Sequence, residues 1–151
     1  MKYIFENSVG KLCQEVSHST GKLLCTLFKK QGYDISSPEW IVLAYLNQYK
    51  ILNQNNLSDI ILRDKVFVKR LMDKMEEDNY VKRTKNRKDN RFNDISLTVK
   101  GEELYIELSA IAEQTLELAY NNISEDELRR GIDFLKFVNG NLNTVLADKF
   151  C

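Results

Sequence analysis

The chain has 151 residues, with 22 Lys and Arg balancing 22 Asp and Glu and an apolar fraction of 43%, which predicts one folded, soluble domain with a real core. No apolar run approaches the roughly 18 residues of a membrane span, and the first residues lack a signal-peptide pattern, so we expect a cytoplasmic protein without a membrane partner. One His and three Cys form no metal-ligand spacing, and no nucleophile–base pair or phosphate loop is present, so we predict no metal, no cofactor and no enzyme.

Two helices are predicted in the first third of the chain. Apolar residues at steps of three and four predict a long helix over residues 7–30, which Gly32 ends. Ser37 followed by Pro38 is typical of an N-cap and first turn. The apolar stretch EWIVLAYLNQ after them predicts a short helix that is buried at the centre of the fold.

Two further short helices follow. Asn53 is placed to cap the first of them. The second is predicted over about residues 65–78, and Asn79 then supplies a residue that tolerates the left-handed conformation of a helix end. The core-facing residues of this second helix recur at helical spacing and are Val68, Leu71, Met72 and Met75.

The apolar period then changes from helical to alternating. The segments YVKRTK and FNDISL, separated by the polar NRKDN, predict a two-stranded hairpin. Thr98 is expected to cap a helix over residues 99–121, and Ser124 with Glu127 forms a capping box that begins a last helix. The predicted fold class is mainly α with a small β-hairpin (α+β), and the surplus apolar surface of the long terminal helices predicts a helical dimer interface.

Charge is separated along this neutral chain. Residues 63–91 hold eleven Lys and Arg against six Asp and Glu, which is half of all the basic residues. Residues 102–127 hold eight Asp and Glu and no Lys or Arg. The sequence therefore predicts a basic face and an acidic face, and only the basic face can approach a phosphate backbone.

The densest part of the basic segment is the hairpin. It places six cations within ten residues beside a single acid, namely Lys82, Arg83, Lys85, Arg87, Lys88 and Arg91. A solvated turn can be basic without a partner, but six cations in one hairpin repel each other unless a polyanion is near, so we favour DNA contact. Lys82 and Arg83 lie near the strand start and are expected to be less involved.

The helix over residues 65–78 also has a polar side. At about 100° per residue, the positions opposite the core or at the edge of that side are Lys65, Val66, Lys69, Arg70 and Asp73. Lys and Arg there can bind phosphate oxygens, and Arg can read guanine through two hydrogen bonds. The alternative is an ordinary solvated helix face, which the basic hairpin that follows makes the weaker interpretation.

Three strings occur in order: SPEWIVLAYL, NLSDIILRDKVFVKRLMDKMEEDNYVKRT and RKDNRFNDISLTVKGEEL. With them the chain resembles the MarR family of bacterial transcriptional regulators, closely over about residues 36–105 and by helix length and position outside that range. The most specific part of the resemblance is an Asp-x-Arg sequence followed by Leu-Thr and Gly, here Asp89, Asn90, Arg91, Leu97, Thr98 and Gly101.

The resemblance implies a homodimeric winged helix-turn-helix regulator on double-stranded DNA with a palindromic operator, and we expect a repressor that a small molecule relieves. The chain would form one domain, residues 1–151, with a DNA-binding lobe over residues 36–98 and dimerisation helices in residues 1–35 and 99–151. The recognition helix would be residues 65–78, with Lys65, Val66, Lys69 and Arg70 as its DNA contacts.

The resemblance also divides the work of the wing, which is the hairpin with its connecting turn. Arg91 would enter a minor groove, with Asp89 as the carboxylate that orients it. Lys85, Arg87 and Lys88 are expected to contact the DNA backbone.

The chain departs from the family at the start of the recognition helix. Members commonly carry small hydroxyl residues there, where this chain has Val66 and Phe67. Val66 is expected to point outward, where it can contact a thymine methyl group. Phe67 falls on the boundary of the core.

Two further functional hypotheses follow from the resemblance. Trp40, Tyr45 and Tyr49, with the first and fifth helices, line a candidate pocket for an aromatic or phenolic effector, and plain core aromatics are the alternative. Cys13 resembles the thiol of the peroxide-sensing branch, although a small apolar helix-face residue is the favoured interpretation. A rival from another class is a winged-helix module that binds an acidic protein.

Overall fold

The structure, a computed structural model, describes residues 4–87, 89 and 91–150, the last three of them by backbone alone. The described residues form a short 3-10 helix (Phe5–Asn7) and then, in order, α1 (Val9–Lys30), α2 (Ser37–Tyr49), β1 (Leu52–Asn53), α3 (Gln54–Ile60), α4 (Lys65–Glu77), β2 (Val81–Lys85), β3 (Asn93–Leu97), α5 (Val99–Ala119) and α6 (Glu125–Phe150). This confirms the predicted mainly helical class.

The hairpin is present, but the sheet has one more strand than expected. β2 and β3 pair antiparallel, from Val81 opposite Leu97 to Lys85 opposite Asn93. β1 pairs with the other edge of β3, which gives the order β1-β3-β2. A two-residue strand is too short to show an alternating pattern, so the prediction of a two-stranded hairpin was incomplete.

Polar side chains cap most of the predicted helix starts. Asn53 Oδ1 accepts a hydrogen bond from the Asn55 N–H at 2.9 Å, as expected. The cap of α2 is Ser36, one residue earlier than predicted, because Glu39 hydrogen-bonds its backbone N–H at 2.8 Å and completes a capping box. Asp64 caps α4 by accepting from the Phe67 N–H at 2.9 Å.

One core is built from the second half of α1, from α2 to α4, the sheet and the first half of α5. The predicted side of α4 is buried throughout, and so are the following residues of the other elements: Leu24, Phe28, Val42, Leu43, Leu46, Leu57, Val81, Ile95, Leu104 and Leu108. The first half of α1 differs: Val9, Leu12 and Val16 follow the predicted steps of three and four, but they are exposed. The apolar side chains of α1 therefore pack in the core in its second half and are exposed in its first half.

The chain divides into two compact units, Met1–Thr115 and Leu116–Cys151. The second unit consists of the end of α5 and α6, which the predicted Ser124–Glu127 capping box begins. Most of the large apolar side chains described in it are exposed, among them Leu116, Leu118, Ile123, Ile132, Phe134, Leu135, Phe137, Leu142, Val145 and Leu146. Exposed apolar side chains in this number are typical of an interaction surface.

None of the helices in the described residues is long and apolar enough to cross a membrane. The same residues hold no group of three or more His, Cys, Asp or Glu side chains arranged to bind a metal ion.

The turn between α3 and α4 is closed by a leucine in the left-handed conformation. Leu62 has a φ of 53°, and its side chain is 85% exposed. The Arg63 N–H donates to the Ser58 carbonyl at 3.1 Å, which closes the end of α3. A side chain in this conformation costs about 1 kcal/mol that glycine avoids. Asn79, with a φ of 60°, takes the same conformation after α4, as predicted.

The start of α5 is fastened to the start of β2. Thr98 accepts from the Gly101 N–H at 3.1 Å as the predicted cap, and its hydroxyl donates to the Asn79 carbonyl at 2.5 Å. The Thr98 N–H donates to the Tyr80 carbonyl at 3.0 Å. Gly101 is buried directly over this carbonyl. The Leu-Thr…Gly sequence therefore joins α5 to the wing.

A buried carboxylate links α2 to α4. Glu39 is almost fully buried, and its Oε1 lies 2.7 Å from Lys74 Nζ on α4. Burial alone would raise the pKa of Glu39, but hydrogen bonds from Lys74 and Ser36 together outweigh burial and hold this pKa below its usual value. The charged form of Glu39 therefore stabilises the fold.

We expect Glu39→Gln to lower the free energy of unfolding by about 1–3 kcal/mol near pH 7, and by less near pH 3. A carboxyl with a lowered pKa in the folded chain stabilises it above the pKa of the unfolded chain, and this contribution disappears as the pH falls through the folded pKa. Denaturant unfolding across this pH range measures the effect, with Glu77→Gln as an exposed control. An equal loss for Glu39→Gln at both ends of the range would contradict the assigned role.

Candidate nucleic-acid interface

The exposed side of α4 carries the residues predicted to contact DNA. Lys65, Val66, Lys69 and Arg70 are all exposed, opposite the buried side of the helix. Lys69 Nζ lies 2.9 Å from Asp73 Oδ2, so a neighbouring carboxylate partly balances its charge. Among the described residues, Lys65 and Arg70 have no ion-pair partner, and both are available to an external anion.

Arg83 was expected to be less involved in DNA contact, and it instead joins the wing to α4. Its guanidinium on β2 lies 2.8 Å from Asp73 and 2.7 Å from Glu76, both on α4. Its Nε donates to Gln54 Oε1 of α3 at 3.2 Å, and the Arg83 side chain is only 18% exposed. Hydrogen bonds from Lys69 and then Arg83 lower the pKa of Asp73.

Strand alternation was the signal that locates Arg83. In β2, Val81 is buried and Arg83 is half-buried, while Lys82 between them is exposed. Side chains two apart on a strand share a face, so Arg83 points to the same side as the core residue Val81. This arrangement makes Arg83 a clamp between the wing and α4.

The wing presents an arginine that a carboxylate holds. Arg91 Nη2 lies 2.7 Å from Asp89 Oδ2, and Arg91 Nε donates to the same carboxylate at 3.0 Å. This hydrogen bonding lowers the pKa of Asp89. The Arg91 side chain is nevertheless 83% exposed, and its guanidinium lies 5.7 Å from the centre of the Phe92 ring.

Asn86 shapes the turn that carries Arg91. Its side-chain Nδ2 donates to Asp94 Oδ1 of β3 at 2.9 Å, and its side-chain Oδ1 accepts from the Asp89 N–H at 3.0 Å. The predicted backbone contacts Lys85 and Arg87 are exposed beside this turn, and Lys88 lies outside the described residues. The turn is thus fixed at its base, and its cations face solvent.

The three aromatic residues predicted to form an effector pocket are separated. Trp40 stacks on Tyr105 with ring centres 5.6 Å apart and meets the edge of Phe28 at 5.8 Å. Tyr45 and Tyr49 stack on each other at 6.0 Å, and both are exposed. At about 100° per residue, Trp40 lies roughly 140–180° around α2 from the tyrosines, so the structure does not bring the three together.

Among the described residues, neither thiol of α1 has a disulfide partner. Cys13 is exposed in the first half of the helix, and Cys25 is half-buried in the second half. The structure places Cys13 among the exposed apolar residues Leu12 and Val16 along the chain.

Sequence comparison matches this chain to known regulators. The model of the MarR family matches residues 35–92, which include α4 and most of the wing. The transcriptional regulator SarZ of Staphylococcus aureus (strain USA300) is 32% identical over 112 residues, which are 74% of each chain. SarZ of Staphylococcus epidermidis (strain RP62A) is 30% identical over an equal share.

Comparison with solved structures gives the same fold. A MarR transcriptional regulator from Methanosarcina mazei matches with a TM-score of 0.80 and 24% identity, covering 91% of this chain and 97% of that one. A MarR mutant from E. coli, solved with operator DNA, matches with a TM-score of 0.77 and 20% identity over 91% and 99%. Bordetella bronchiseptica BpsR, whose DNA binding 6-hydroxynicotinic acid regulates, matches with a TM-score of 0.77 and 16% identity over 92% and 98%.

Proposed function

The chain belongs to the MarR family of transcriptional regulators, and from this premise we propose that it is a homodimeric repressor that binds a palindromic operator in the cytoplasm. The observation that carries the proposal is the exposed cationic surface formed by α4 and the wing. Among the described residues, Lys65 and Arg70 on α4 have no ion-pair partner. Arg91 extends from a wing that Arg83 joins to α3 and α4, and Asn86 holds the turn of that wing to β3. Fixed cations on a helix and hairpin match the phosphates and grooves of a duplex.

We propose that α4 enters the major groove as the recognition helix, with Lys65, Val66, Lys69 and Arg70 in contact with DNA. Arg91 then reaches the adjacent minor groove, whose negative potential favours an inserted arginine. Lys85, Arg87 and Lys88 bind phosphates beside it. The operator complex solved for E. coli MarR, which has this fold, supports the placement.

We propose that residues 1–35 and 99–151 supply the dimer interface. The exposed apolar side chains of the first half of α1, and separately those of α6, support this role, because burying them against a second copy removes them from water. Two copies of the lobe, residues 36–98, then read two half-sites about one helical turn apart.

An aromatic or phenolic acid is the proposed class of effector, and regulation of BpsR by 6-hydroxynicotinic acid supports it. Since Trp40 is committed to the core stack, we place the contribution of α2 to such a site at the exposed Tyr45–Tyr49 pair. The exposure of Cys13 favours a second candidate for regulation, by thiol oxidation. DNA affinity that is unchanged by peroxide treatment would exclude this second candidate.

Selection of bound duplexes from a random pool tests the proposed function. A palindromic motif with half-sites about one helical turn apart is the expected result, and it would establish both the dimer and the DNA binding. Salt-dependent but sequence-independent retention, or none, would instead favour a module that binds an acidic protein.

We expect Arg91→Ala to weaken binding of the selected duplex and to reduce the slope of log affinity against log salt concentration by about one for each subunit, because one cation per wing leaves the DNA. Fluorescence anisotropy at several salt concentrations measures the slope. Lys22→Ala, which removes an exposed cation from α1, is the control and should leave the slope unchanged. An unchanged slope in Arg91→Ala would remove Arg91 from the interface.

A further inference from the structure

Three large apolar side chains are exposed around the start of α4. Leu62 in the preceding turn is 85% exposed, and Val66 and Phe67 in the first helical turn are 62% and 37% exposed. The chain carries no hydroxyl or amide side chain from Ile61 to Lys69. We call Leu62, Val66 and Phe67 the apolar tip, and it has no hydrogen-bonding group with which to recognise a polar partner.

Leu62, the most exposed residue of the apolar tip, has a backbone conformation that lowers folding stability. Leu62 has a φ of 53°, a conformation that glycine adopts without strain. The hydrogen bond that closes this turn joins the Arg63 N–H to the Ser58 carbonyl at 3.1 Å, so it needs no side chain at Leu62. A strained residue whose side chain is neither buried nor needed for the turn points to a contact outside the chain.

Cations surround the apolar tip. Lys65, Lys69 and Arg70 are exposed on the same helix, and the Arg63 guanidinium lies 5.6 Å from the centre of the Phe67 ring. A partner complementary to this surface is apolar where it contacts the apolar tip and anionic where it faces the surrounding cations. The major groove of duplex DNA has this pattern wherever it exposes thymine, because the 5-methyl group is the apolar group on the base edges and phosphates line both sides.

We infer that the apolar tip selects operators by contacting thymine 5-methyl groups in the major groove. This inference rests on the proposed function, which places α4 in that groove. It makes Leu62 a specificity residue as well as Val66, although Leu62 precedes the recognition helix. The side chains of the apolar tip form no hydrogen bonds with the bases. They would therefore select thymine by the fit of their shape to the groove and by burial of its methyl group.

Replacing thymidine by deoxyuridine removes the 5-methyl group of the base and leaves base pairing unchanged. The probe is a synthetic duplex that carries the motif recovered by selection, with each thymine replaced in turn. We expect one or two positions in each half-site at which wild-type affinity falls about three- to fivefold. This is the loss expected when one methyl group that is buried in the complex is removed. Thymines outside the half-sites are the internal control.

Two variants connect these positions to the apolar tip. Leu62→Gly keeps the left-handed turn, and we expect it to raise the melting temperature while it weakens binding and abolishes sensitivity to deoxyuridine at one position. Val66→Thr keeps the branched shape with one methyl group exchanged for a hydroxyl, and it should reduce sensitivity at a different position. Opposite effects on stability and on binding separate a recognition role from a structural one.

The outcomes separate the inference from the proposed function. Equal affinity for thymine and deoxyuridine at every position, on a duplex that is still bound selectively, would overturn the inference and leave the proposed function standing. Sensitivity that persists unchanged in both variants would also overturn it. Failure to recover any preferred duplex would overturn the proposed function itself, and an apolar tip that contacts a protein would then be the alternative.

Discussion

Arg83→Ala is expected to weaken binding of the selected duplex by about tenfold or more and to lower the free energy of unfolding by about 1–2 kcal/mol, because both of its carboxylate partners are partly exposed to solvent. Arg83 joins β2 to Asp73 and Glu76 of α4 by ion pairs at 2.8 and 2.7 Å and to Gln54 of α3 at 3.2 Å. Without it, two carboxylates lose their shared cation beside the proposed DNA surface, and the wing loses its fixed position on α4.

The salt dependence of binding distinguishes this positioning role from direct DNA contact. The Arg83 guanidinium faces its own protein and is only 18% exposed, so its loss should leave the slope of log affinity against log salt unchanged, unlike the loss of Arg91. Arg83→Lys is the matched variant, because it keeps the charge but not the planar group that bridges several partners. We expect Arg83→Lys to recover part of the stability and little of the affinity.

Anisotropy titrations and denaturant unfolding of the same preparations provide both readouts for Arg83. Comparing Arg83→Ala with wild type at a temperature where both are folded removes the effect of stability from the affinity. A reduced salt slope in Arg83→Ala would show that Arg83 itself contacts phosphate. An unchanged affinity would show that the wing keeps its position without the clamp.

Local sequence patterns were sufficient to predict most of the elements. Helical spacing placed Val68 and Met72 of α4 in the core, and both are buried. Asn53 and Thr98 cap the helices that they were expected to cap, because short polar side chains satisfy the N–H groups left free at a helix start. These features depend on residues within a few positions of each other, so the sequence alone carries the information.

Features that depend on contacts distant in the chain were not predictable in this way. β1 is two residues long and exists because β3 offers it a free edge. Trp40 was predicted to line an effector pocket because it is a large aromatic residue. Its stacking on Tyr105, 65 positions away, depends on how α5 packs against α2, which local patterns do not show. Arg83 was underestimated because its three acidic and amide partners come from other elements.

Gly101→Ala is expected to lower the free energy of unfolding by about 2–4 kcal/mol, the largest effect on stability that we predict for any single methyl group in this chain. Helix propensity alone predicts the opposite sign, since alanine is favoured over glycine inside a helix by about 1 kcal/mol. The sign is reversed because a Cβ on Gly101 would overlap the Tyr80 carbonyl oxygen, which is backbone and cannot rotate away.

The same carbonyl accepts the Thr98 N–H at 3.0 Å, so displacing it also disturbs the junction that fastens α5 to the wing. Gly140→Ala on α6 is the matched control, because a Cβ there meets nothing within 4 Å and should stabilise the helix by about 0.5–1 kcal/mol. Thermal and denaturant unfolding of the two variants therefore compare one added methyl group in opposite surroundings. If both substitutions stabilised the protein, α5 would have room to move away from β2, and the close approach at Gly101 would not be what sets the position of the wing.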